Sequence, residues 1–89
     1  MEMSPMEIIE EGQRAKELKD NPFFEKILKE IEDEIILSWI KSAPDQKDER
    51  EITYSRMEAI RKIRLEISKR IQNATIEKDK FQQEGDSNE

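Results

Sequence analysis

The stretch NPFFEKILKEIEDEIILSWIK, from Asn21 to Lys41, decides the fold. Phe24, Leu28, Ile31, Ile35 and Ser38/Trp39 recur at 4-3-4-3 spacing, which is one face of an α-helix. Asn21 is a helix N-cap and Pro22 suits the first helical turn, so the helix is predicted over about 22–41. Phe23, Ile27, Leu37 and Ile40 form a second apolar stripe, and Ile36 thickens the end. A helix apolar on so much of its circumference is buried on more than one side.

Working outward, Ser4-Pro5-Met6-Glu7 reads as an earlier helix start, with Ser4 as cap and Glu7 completing a capping box. Ile8, Gly12, Ala15 and Leu18 then keep helical rhythm until Asp20-Asn21-Pro22 ends the helix, giving about 5–20. On the other side, Ser42-Ala43-Pro44-Asp45 stops the second helix, and Asp45 or Asp48 is the expected cap of a third over about 47–82. Ile60, Ile67, Ala74 and Phe81 fall seven apart with Ile63 and Ile71 between, while Arg56, Arg70 and Glu77 take the alternate seam positions. One helix packing along others fits this better than a sustained two-stranded coiled coil.

The prediction is an all-α protein of three helices, the second and third forming an antiparallel helical hairpin. The third would span about 50 Å against about 30 Å for the second, so its C-terminal third projects or meets another chain. One helical domain is expected over residues 1–84, with a disordered tail over 85–89.

Composition excludes most chemistry. Cys and His are absent, which removes disulfides, thiolate nucleophiles and the commonest zinc ligands. Two glycines leave no Gly-rich phosphate loop. No catalytic, cofactor or metal residue is assigned, and the expectation is a protein that is not an enzyme and needs no cofactor. Glu30, Glu32, Asp33 and Glu34 form an acidic cluster without companion ligands, so a solvated face is preferred to a cation or carboxylate site. No run approaches the roughly 18 apolar residues of a membrane span. Met1–Pro5 lacks a basic, apolar leader, so a soluble, cytoplasmic protein is expected.

With 43% charged residues and net charge −6, the distribution of charge matters. Residues 1–34 carry eleven acidic and five basic side chains, whereas 56–70 carries net +4. The basic residues Arg61, Lys62, Arg64, Lys69 and Arg70 have two readings: a phosphate-binding face, or counter-charge to the acidic first half. An acidic chain with no aromatics between those residues favours counter-charge. Trp39 is a core or interface anchor, and Phe23, beside the stripe residue Phe24, is left for a neighbouring chain. Arg50 is expected to ion-pair with the second helix, with a partner hot spot including Glu51 and Tyr54 as the alternative.

The pattern Gly12-x-Arg14-Ala15-x-x-Leu18, Asn21-Pro22-x-Phe24, Ile31-x-x-Glu34-Ile35-x-x-x-Trp39 and Asp48-x-Arg50-Glu51-x-x-Tyr54 resembles a group of small helical proteins encoded in tailed-bacteriophage genomes. Members share an Asp/Asn-Pro step, a Trp late in the second helix, an Ala-Pro-Asp-like turn and an Arg-Glu pair opening a long helix. The resemblance covers roughly residues 12–71, not the part from Thr75 onward. It implies a viral origin and a place among late, particle-building genes, hence the host cytoplasm or the virion, and transfers no catalytic residue.

The functional expectation is a structural or assembly accessory that packs against itself, as a homo-oligomer, or against a larger protein. Its interface is predicted at Phe23, Ile27, Ile36, Leu37, Trp39 and Ile40. Two alternatives stand beside it. One is a nucleic-acid-handling subunit using residues 56–70, although the Pro44 turn and the long third helix depart from helix-turn-helix proportions. The other is a small inhibitor of a host protein with an acidic face.

Overall fold

The structure, a computed structural model, describes residues 2–87, with side chains as far as Gln83. It contains three α-helices and, among the described residues, no strand: α1 Pro5–Lys19, α2 Pro22–Lys41 and α3 Lys47–Ser87. The all-α prediction and the first two helices agree with the sequence. The backbone of α3 stays helical five residues past the predicted end, through Gly85, Asp86 and Ser87 of the expected tail. Asn88 and Glu89 lie outside the described residues.

Local chemistry accounts for the boundaries. The Ser4 hydroxyl accepts from the Glu7 amide and donates to the Glu7 carboxylate, both at 3.2 Å. Asn21 Oδ1 accepts from the amides of Phe23 and Phe24, at 2.9 and 3.3 Å, satisfying two of the donors a helix start leaves orphaned. The start of α3 departs from expectation. Gln46, rather than Asp45 or Asp48, makes the local contacts: its side-chain oxygen accepts from the Ala43 amide at 2.7 Å and its own amide donates to the Ala43 carbonyl. The longer amide side chain reaches back across the Pro44 turn.

The tertiary contacts fall into two compact units. One is Asn21–Arg64; the other joins α1 to the part of α3 from Leu65 onward. In the first unit the core is Leu28, Ile35 and Ile60, with Phe24 and Met57 packed against it. Arg64 near the middle of α3 reaches Glu25 and Glu32 of α2, whereas Arg50 near its start reaches Ser42 just past the α2 end. Thr53 is buried, and its hydroxyl donates to the Glu49 carbonyl one turn earlier; among the described residues no buried side-chain polar atom is left without a partner.

In the second unit Gly12 and Ala15 of α1 and Ala74 of α3 are buried. This corrects the expectation that the C-terminal third of the long helix projects or awaits another chain. Small residues on α1 let that helix lie close against it, and Arg70 approaches Glu11 at 3.8 Å. The seam of α3 within Asn21–Arg64 runs Thr53, Met57, Ile60 and Arg64, all buried or half-buried; in the other unit the buried or half-buried Ile67, Ile71 and Ala74 recur at 4-3 spacing. Ile63, expected on that seam, is exposed, and Arg64 takes the position.

Candidate interaction surface

The core of Asn21–Arg64 is thin, and no large side chain among the described residues is fully enclosed. All six predicted interface residues are exposed, with Phe23 at 66% and Ile40 at 70%. They do not form one patch. At about 100° of rotation per helical residue, Phe23 and Ile36 lie roughly 140° apart around α2, on opposite sides of the buried Leu28–Ile35 line. Leu37 points away from that line altogether by the same rotation.

Two apolar grooves flank the α2–α3 packing within this unit. On one side, a cleft of about 190 Å³ is lined by Ile35, Ile36, Trp39, Thr53, Tyr54 and Met57. Ile40 follows Ile36 by one turn. On the other side, a wider groove of about 350 Å³ lies between Ile31, Glu34, Ile35 and Ser38 of α2 and Thr53, Arg56, Ala59 and Ile60 of α3. Phe23 and Ile27 continue the α2 edge of this second groove at i, i+4 steps. Ser38 returns its hydroxyl to the Glu34 carbonyl at 3.0 Å, which leaves the groove without a free hydroxyl donor there. Sequence reasoning missed both grooves because each is made jointly by two helices.

Trp39 is neither pure core nor a free anchor. The Arg50 guanidinium sits 4.9 Å from its ring centroid. Arg50 Nε donates to the Ser42 hydroxyl at 2.9 Å and Nη2 to the Ser42 carbonyl at 3.2 Å. The Ser42 hydroxyl donates in turn to the Trp39 carbonyl at 2.6 Å. Arg50 therefore meets the carbonyl-rich end of α2, where a cation is favoured, and the face of Trp39. This differs from the expected ion pair. The hydroxyl and carbonyl of the C-cap residue Ser42 and an aromatic face serve the guanidinium where a carboxylate was expected.

The basic stretch is drawn mostly into ion pairs. Arg64 holds Glu25 at 3.0 Å and Glu32 at 2.7 Å, so of the four clustered acids only Glu32 meets it. Arg61 pairs with Glu58 at 2.9 Å, and Lys69 with Glu66 at 3.3 Å. Arg70 pairs with Glu66 at 2.7 Å and lies near Glu11. Lys62 makes no ion pair among the described residues. The hydrogen bond from Arg64 holds the Glu25 carboxyl below its ordinary range, and Arg70, then Lys69, do the same to Glu66. In return Glu25, then Glu32, raise Arg64, and Glu66 raises Arg70. At helical rotation the five basic residues also spread around α3 and share no single face.

Among the described residues, no group of three or more Asp or Glu is placed to hold a metal ion, and no helix is long and apolar enough to cross a membrane. No protein-family model, curated protein or solved structure matches the chain.

Proposed function

We propose that this chain is a non-enzymatic structural or assembly accessory protein that acts by helix packing, with a second copy or with a larger protein. The observation that carries this reading is the apolar surface of α2: Phe23, Ile27, Ile36, Leu37, Trp39 and Ile40 are all exposed, on a helix whose buried residues are only Leu28 and Ile35. Full burial of an exposed large apolar side chain is worth about 1.5–3 kcal/mol, so a surface that covers the exposed parts of these six gains some fraction of that at each. The resemblance described above adds a phage origin and a particle-building setting, with the host cytoplasm or the virion as its place.

The nucleic-acid alternative draws less support, because four of the five basic residues it needs are engaged with carboxylates. A photo-crosslinking residue placed at Ile40, and separately at Phe23, tests the packing reading in cells producing the protein. Adducts to a protein, identified as this chain or another, are expected from at least one position. Absence of any protein adduct from both positions removes the reading.

A further inference from the structure

The wider groove of the Asn21–Arg64 unit carries an unmatched pair of charges. Its floor is Ile31, Ile35 and Ile60, with Ala59 leaving room for close approach, and its two rims carry Glu34 on α2 and Arg56 on α3. Arg64 of this unit is held by Glu25 and Glu32, Arg61 by Glu58, and Arg50 by Ser42 and the Trp39 ring. Glu34 and Arg56 have no ion-pair partner among the described residues, although they face one groove.

We propose that the groove seats the same groove of a second copy, with Glu34 of each chain paired to Arg56 of the other. A two-fold axis running along the groove, in the plane between the two copies, turns the grooves face to face and exchanges their α2 and α3 rims. It therefore lays α2 of one chain over α3 of the next and brings opposite charges together twice. A two-fold interface must be self-complementary, and one acid and one base on opposite rims of an apolar groove meet that requirement. A foreign helix would need no such symmetry in the groove. The product is a four-helix bundle of two stacked α2–α3 pairs, in which the half-exposed edge residues Ile27 and Ile63 also lose water.

This proposal rests on the packing function above and names its partner as a second copy. Sedimentation equilibrium of the full chain is expected to show a dimer. Glu34→Arg and Arg56→Glu alone should each weaken it by at least about tenfold in Kd, since each turns two attractive pairs into repulsive ones. An equimolar mixture of the two variants, and the double variant E34R/R56E, should dimerise again, because both restore two opposite-charge pairs. Both residues are exposed, and circular dichroism checks that the variants keep their helices.

A second measurement needs no variant. In a mixed sample of labelled and unlabelled wild-type chains, intermolecular nuclear Overhauser contacts are expected between the Ile31 or Ile35 methyls and Ala59. A dimer indifferent to both substitutions, single variants that the mixture does not rescue, or a dimer without those contacts overturns this proposal and leaves the packing function standing. A chain that stays monomeric at high micromolar concentration overturns it too, while crosslinks to another protein at Phe23 or Ile40 still uphold the broader reading. Absence of such crosslinks is the separate failure of that reading.

Discussion

Gly12 of α1 has no side chain because Ala74 of α3 occupies the place where one would be. A methyl added at Gly12 would overlap the Ala74 methyl and lie 2.8 Å from the Arg70 carbonyl oxygen. Two effects oppose each other on Gly12→Ala. Helix propensity favours alanine by about 0.5–1 kcal/mol, while overpacking against a backbone atom costs typically 1–3 kcal/mol. Overpacking wins here because the Arg70 carbonyl belongs to a helix and cannot swing aside. Gly12→Ala is expected to lower the denaturant midpoint by the equivalent of about 1–2 kcal/mol. Ala74→Gly should cost less in the Gly12→Ala background than alone, since there it also removes the methyl that clashes, though not the carbonyl.

Arg50 ties the end of α2 to the beginning of α3 through Ser42 and the Trp39 ring. Arg50→Ala leaves the Ser42 carbonyl without this donor and uncovers the indole, at a cost of about 1–3 kcal/mol. Arg50→Lys should recover little, because one ammonium cannot place two donors on Ser42 and a flat face over Trp39 together. Trp39 is the sole tryptophan, so its emission reports the change directly. A red shift in Arg50→Ala at native conditions is expected. An unchanged spectrum with unchanged stability would show that Arg50 does not hold this corner.

The legibility of the fold followed the range of the interactions. Ser4, Asn21 and the prolines act within one turn of helix, so the starts of α1 and α2 could be read from the chain alone. The end of α3 could not, because Gly85 lowers helix propensity without forbidding the conformation. Arg64 reads in the sequence as counter-charge to the acidic first half, not as a seam residue. Its seam position needs Glu25 and Glu32, thirty-nine and thirty-two residues away, to satisfy the guanidinium. The exposed apolar residues of α2 were legible as a set, but their division between two flanks was not. That division depends on which face α3 covers. Likewise Gly12 fell on the right face of α1, while its neighbour Ala74 is separated from it by two turns and a whole helix.

Ile35 and Ile36 are adjacent in sequence and opposite in consequence. Ile35 is 6% exposed within the Leu28–Ile60 cluster, while Ile36 is 45% exposed at the rim of the smaller cleft. Ile35→Ala removes a buried side chain and should cost about 2–4 kcal/mol, as core truncations do. Ile36→Ala should cost under about 0.5 kcal/mol in the isolated chain, in line with surface substitutions. Urea unfolding of both variants, at a protein concentration low enough to disfavour association, separates the two. Equal losses would mean that the second face of α2 is covered within the chain.

Acid should loosen both units through the same kind of contact. Arg64 holds Glu25, and Arg70 with Lys69 holds Glu66, below the ordinary carboxyl value of 4.5. A carboxyl whose folded value lies below its unfolded value binds protons more readily when unfolded. Its stabilising contribution is therefore present above the unfolded value and is lost as the pH falls through the folded one. Stability is expected to be flat near neutrality with respect to these groups and to decline below about pH 4.5. Both carboxylates are solvent-accessible, so salt should shrink the decline. Following the Glu25 carboxyl by NMR gives the site-specific check. Arg64→Ala should return its titration to the ordinary range, while Glu66 in the other unit titrates as before. Movement of both carboxyls on that one substitution would contradict the local origin of the shifts.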